Sequence, residues 1–162
     1  MNFIWLTGLL SIPVIAFGWD QRRKRQAMKR VEEALKTFEE KYQNLRNQHM
    51  AVAMTSEGKE TEKMREFVQK VILIVKPEID SFINEALIIR GIKSYLKPSK
   101  TQFPNVVSLV NEWAFQQGGK TQKKAEQQVK EFRQEVRTAF EDGISADIEN
   151  RILNWEAGKP ME

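Results

Sequence analysis

The sequence predicts an all-α protein in three parts: a single N-terminal transmembrane helix, a heptad-patterned stalk helix and a small C-terminal helical domain. Three observations carry this reading. An uncharged apolar run opens the chain, a basic cluster follows it directly, and apolar residues then recur at helical spacing almost to the end. The expected divisions are an anchor over residues 1–20, a collar and stalk over 21–57, and a helical domain over 58–162.

Phe3 to Trp19 holds seventeen residues without a charge. As a helix it covers roughly 25 Å, the short end of what a bilayer core requires. Pro13 lies inside it, which lipid tolerates with local adjustment of the freed carbonyl. Trp5 and Trp19 fall near its ends, where amphipathic rings favour the interface. A cleavable signal peptide needs positive charge before the apolar run and small residues after it. Here Asp20-Gln21-Arg22-Arg23 follows instead, so a retained anchor is expected.

Arg22, Arg23, Lys24, Arg25, Lys29 and Arg30 form the collar. Basic residues beside a span stay on the cytoplasmic side, so the N-terminus is expected outside and the bulk of the chain in the cytoplasm, at a cell (inner) membrane. The same charges suit anionic lipid headgroups. From Val31 onward, 20 Lys and Arg face 21 Asp and Glu, so the sequence pI of 9.3 belongs to the collar. That near-neutral remainder argues against a broad nucleic-acid face.

The stalk carries an unbroken heptad: Met28, Val31, Leu35, Phe38, Tyr42, Leu45, His49 and Val52 step alternately by three and four. Such a narrow stripe serves either a coiled-coil seam between copies or packing on the chain's own domain. Self-association through the seam is the first expectation. His49 is the sole histidine of the chain and reads as a seam residue rather than a pH switch.

Gly58 marks the expected stop of the stalk. Met64, Phe67, Val68, Val71, Ile72 and Val75 then share a helical face, and Leu73 with Ile74 makes the segment apolar nearly all round, as in a central buried helix. The run Val71 to Val75 is β-branched enough for a strand, although its flanks favour helix. Pro77 suits the first turn of a further helix, expected to continue through Ile79, Phe82, Ile83, Ala86, Leu87, Ile89, Ile92, Tyr95 and Leu96. Pro98-Ser99-Lys100 should end it. Pro104 should open a shorter helix through Val106, Val107, Leu109, Val110, Trp113 and Phe115, closed by Gly118-Gly119. A charged helix over residues 121–142 follows, with Ala125, Val129, Phe132, Val136 and Phe140 on one stripe. Gly143 should end it and Ser145 cap a last helix through Ile148, Ile152, Leu153 and Trp155.

The chemistry of catalysis is missing from the pattern. There is no cysteine, hence no disulfide, thiolate or cysteine-ligated zinc. Gly118-Gly119-Lys120-Thr121 ends like a phosphate loop, but lacks the earlier glycine and follows a helix. One histidine cannot complete a metal pair or a triad with its surroundings. No enzyme, cofactor or metal is expected. The expected role is a membrane-anchored interaction or scaffold protein presenting its helical domain to a protein partner. The alternative is a membrane-active or lysis-type factor acting through the anchor.

Overall fold

The computed structural model describes residues 5–92 and 96–159, with side chains from Arg22 onward. Four α-helices account for nearly all of it: α1 (Trp5–Met54), α2 (Glu60–Ile88), α3 (Pro104–Phe115) and α4 (Gln122–Glu156). A single 3-10 turn stands at Pro98–Lys100, and no strand occurs among the described residues. Phe3 and Ile4 of the expected anchor, and Tyr95, lie outside the described residues. Within the described residues, no helix is long and apolar enough to cross a membrane.

The stalk ends where expected. Gly58 adopts φ 73°, a left-handed conformation that costs a side-chain-bearing residue but not glycine. The reversal lays α2 antiparallel on α1: His49 stacks on Phe67 at 4.1 Å, and farther along Lys41 pairs with Glu78. α4 runs antiparallel to α2, with Arg137 on Asp80 at 2.6 Å, Arg133 on Asn84 at 2.9 Å and Arg65 on Glu149 at 3.5 Å. It therefore runs parallel to α1. The shorter α3 packs on α4 and adds Val106, Val107, Val110, Trp113 and Ala114 to the same core.

Two residues that normally interrupt helices do not do so here. Pro77 was expected to open a helix, yet it sits inside the 29-residue α2. Proline removes one ladder bond and crowds the carbonyl four residues back, that of Leu73. Leu73 is 70% exposed and Pro77 is exposed, so the break falls on the solvent side, where water can satisfy the freed carbonyl. The same exposure corrects the reading of a helix buried all round, since Ile74 is also 46% exposed. Residues Val71 to Val75 are helix.

Gly143 was expected to stop a helix and Ser145 to cap the next. Instead α4 continues through both for 35 residues. A methyl group at Gly143 would come within 2.7 Å of Phe103 Cδ1, so the missing side chain makes room for that ring. Ser145 Oγ donates to the Glu141 carbonyl at 2.9 Å, which returns its hydroxyl to the helix. With no break, Phe132, Val136, Phe140, Ile144, Ile148 and Ile152 are all buried at a strict four-residue step. A helix turns every 3.6 residues, so this row winds slowly around α4 and meets different neighbours along its length.

α2 ends earlier than the periodicity implies, at Ile88 rather than beyond Leu96. Gly91 takes φ 79° and gives its N–H to the Ala114 carbonyl at 2.8 Å, diverting the chain toward α3. The loop is then pinned at several points. Asn111 brackets Leu96 by donating to its carbonyl at 3.0 Å and accepting from its N–H at 2.7 Å. Glu39 accepts from the Thr101 hydroxyl and from the Gln102 N–H. α3 stops at Phe115, before Gly118-Gly119.

At mid-bundle, aromatic rings from every layer meet. Phe38 lies 4.4 Å from Phe140 and 5.1 Å from Phe103, while Phe82 lies 5.3 Å from Phe140. Phe82 and Phe103 contact Phe140 edge-on or tilted, the arrangements that aromatic quadrupoles favour. Stalk and domain residues thus share one core: Met28 to Tyr42 are buried together with Phe67 to Ile152. The stalk is a wall of the domain rather than a separate unit.

Candidate functional site

Three groups of residues are candidates for function. The heptad stripe comes first. Met28, Val31, Leu35, Phe38 and Tyr42 are buried in the core, and Leu45 is packed against it. His49 is half-buried, and its ring Nε2 lies 2.9 Å from the Lys63 carbonyl in addition to stacking on Phe67. Val52, at 56% exposed, falls outside the core. The stripe is therefore used within the chain, and α2 and α4 occupy the face that a second copy would need. Periodicity could not separate the two uses, because both require the same narrow apolar row.

The collar is the second group. Arg22, Arg23, Arg25, Lys29 and Arg30 are exposed, and Lys24 is half-exposed. They flank Met28, the first buried residue of α1 among those described. The collar is thus continuous with a helix whose other half is core.

The third group was not legible in the sequence. Asp147 on α4 accepts from the Tyr42 hydroxyl at 2.6 Å and from Arg46 Nη1 at 3.0 Å, both on α1. Its other oxygen takes Arg151 Nε at 3.2 Å. Arg46 is the one buried charged residue among those described. Its guanidinium carbon also lies 5.7 Å from the Tyr42 ring centroid. Burial pushes the Tyr42 phenol well above its ordinary range, and the bond to Asp147 and that carboxylate's charge push the same way. For Asp147, burial alone would raise the pKa. The bonds from Tyr42 and Arg46 and the charges of Arg151 and Arg46 outweigh it and hold the carboxyl below its ordinary value. Tyr42 stays protonated as donor and Asp147 ionised as acceptor, a stable pairing with no proton to exchange near neutrality. The cluster locks the α1–α4 register. It is not arranged for acid–base chemistry.

Two surface clefts are lined by described residues. One, of about 360 Å³, lies between α3 and α4 above the stacked pair Trp113 and Phe132, with Glu112, Glu131 and Glu135 on its walls. Arg90 lies over Trp113 at 4.4 Å and bonds Gln128 and the Gln117 carbonyl, closing the adjoining edge. The other, of about 550 Å³, has Leu35, Leu96 and Val107 with Lys36, Lys97 and Lys100 among its lining residues. Glu39 and Thr101, which bond each other, also line the second cleft. Among the described residues no cluster of three or more His, Asp or Glu is placed to hold a metal ion.

No family model, no characterised protein and no solved structure matches this chain. Its physical chemistry is therefore the basis for a functional reading. The class it defines is an all-helical bundle whose first helix extends into a basic collar and an uncharged N-terminal run.

Proposed function

We propose that the chain is a non-enzymatic, membrane-anchored interaction protein. Its N-terminal apolar segment holds it in the cell membrane, N-terminus outside, and its helical bundle stands on the cytoplasmic side for a protein partner. One observation carries the reading: a single helix, α1, joins the uncharged run and the collar to the core of the bundle without a glycine or proline after Gly18. An anchor fused rigidly to a folded domain fixes that domain's distance from the bilayer, which suits presentation better than catalysis. The collar supplies the topology signal and a site for anionic lipid. The stripe Met28 to Tyr42 is committed to the bundle, so the partner surface must come from outer faces such as the clefts along α3.

The test is membrane fractionation of the full chain combined with a reporter fused after Glu162. Retention in carbonate-washed membranes and reporter activity confined to the cytoplasm are the expected results. Release by carbonate, or activity outside the cytoplasm, would overturn the anchor or its orientation respectively. For the partner, the full chain carrying photo-crosslinkers in the α3–α4 cleft should join a discrete protein in membranes. Crosslinks that persist unchanged when Glu112, Glu131 and Glu135 are all replaced by Lys would exclude that cleft.

A further inference from the structure

The bundle places a second basic group beside the collar, drawn from a distant part of the sequence. Lys120, Lys123 and Lys124 stand in and just before the first turn of α4, and all three are exposed. Their level along the bundle follows from the register. The parallel pairing of α1 and α4 sets Phe38 on Phe140 and Arg46 on Asp147, an offset of 101 residues at the latter. Carried toward the N-terminus at that register, the first turn of α4 comes level with Asp20 to Arg23. That is where the uncharged run of α1 gives way to the collar.

The close of α2 and the close of α3 meet about two turns farther along the bundle, through Gly91 and Ala114, where Arg90 ties both to Gln128 of α4. The exposed Ile88 and Phe115 lie at that lower level, and the opposite end exposes Val52, Met54, Leu153 and Trp155, so charge rather than apolar surface distinguishes the collar end. Residues 115–124 contain three lysines and no acid, and residues 22–30 contain six basic residues and no acid. The opposite end differs: segments 55–65 and 147–159 together hold five basic and six acidic residues.

We infer that this end of the folded bundle is itself a membrane-docking surface, taking anionic phospholipid headgroups on Lys120, Lys123 and Lys124 beside the collar. The inference rests on the anchored reading above and deepens it. Charge complementarity and continuity with the anchor helix select the occupant. Basic residues near an anionic leaflet gain from its surface potential. Such a face would hold the bundle upright against the bilayer as well as tethering it.

The chain has no cysteine, so single labels are clean. The full chain is reconstituted into vesicles of phosphatidylcholine, or of phosphatidylcholine with phosphatidylglycerol, with an environment-sensitive fluorophore at Q122C, among the three lysines, or at L153C. The label at 122 is expected to brighten roughly twofold and shift to the blue in the anionic vesicles alone. The label at 153, at the opposite end, should not change. K120E/K123E/K124E should abolish the response, and K120R/K123R/K124R should keep it. Thermal unfolding of both variants checks that the bundle is intact.

Silent labels, or equal responses at 122 and 153, would overturn the docking face. So would a label at 122 that responds to duplex DNA and not to anionic vesicles, since that result would assign the surface to nucleic acid. A carbonate wash of the same samples separates the two claims. A chain that washes off while its labels still respond to phosphatidylglycerol defeats the anchor and supports docking. A chain that is retained with silent labels does the reverse.

Discussion

Gly143 gives the sharpest test of how the bundle is assembled. Replacing it with alanine has two opposed effects. In a helix interior, alanine is favoured over glycine by about 1 kcal/mol. At this position the new methyl would stand 2.7 Å from Phe103 Cδ1 and 3.0 Å from Cε1, inside any real carbon contact. Phe103 is only 3% exposed and is held by Phe38, Tyr42 and Phe140, so its ring has little room to retreat. Overpacking of this kind costs about 1–3 kcal/mol, which leaves G143A neutral to about 2 kcal/mol destabilised. In a background of F103V the ring is gone, and the same substitution should stabilise by about 1 kcal/mol. F103V alone should cost about 2–4 kcal/mol through the cavity it leaves. Urea unfolding of the four proteins in the cycle measures the coupling. If G143A is destabilising by the same amount with and without Phe103, the glycine is needed for its backbone and the packing account is wrong.

Four further outcomes follow from the structure. Y42F removes a donor to a carboxylate and should cost about 1.5 kcal/mol, measured by urea unfolding. Because the folded-state pKa of Tyr42 is raised, its contribution is present below the ordinary tyrosine value of 10.0 and is lost as pH climbs beyond that toward the folded value; Y42F should flatten the stability profile above pH 10. Asp147 has the opposite sign: its folded pKa is lowered, so its contribution is present above the ordinary aspartate value of 3.8 and disappears as pH falls through the folded value. D147N should cost about 2–3 kcal/mol at neutrality and remove part of the acid-side slope. P77A restores a ladder donor to the Leu73 carbonyl in an exposed turn of α2 and should raise stability by about 2 kcal/mol, read as a higher urea midpoint. K123E places an acid in the first turn of α4, which has none, and should stabilise the helix by about 0.5 kcal/mol in thermal melts at low salt.

The helical class, the break at Gly58 and the start of α3 at Pro104 were legible because each rests on local chemistry. Pro77 and Gly143 misled for a common reason. A local rule names the cost of a residue in a helix, but tertiary packing decides whether that cost is borne. Pro77 is carried on a solvent-facing turn, and Gly143 makes space for a ring from another layer. The destination of the heptad stripe was hidden because an apolar row does not record whose surface will cover it. Tyr42, Arg46 and Asp147 were hidden more deeply. Tyr42 reads as a seam residue, and no local pattern marks Arg46 or Asp147 as its partners. Their bonds cross more than 100 positions of sequence. The one available signal was an arginine one turn after a tyrosine on an otherwise apolar stripe.

The parallel pairing of α1 with α4 has a consequence for how the chain is made. Helix α1 leaves the ribosome first, but Phe140 and Asp147, which complete its inner face, come more than 100 residues later. Until then α2 can lie against α1, yet Phe38 and Tyr42 still lack the ring and the carboxylate that cover them. At about 5–20 residues per second, that interval lasts on the order of 5–20 s. The newborn chain therefore spends seconds as an open two-helix hairpin with an apolar side uncovered. Interruptions of synthesis before residue 140 should yield a product that aggregates, whereas a chain cut after Ile152 retains every ring of the central cluster and can close.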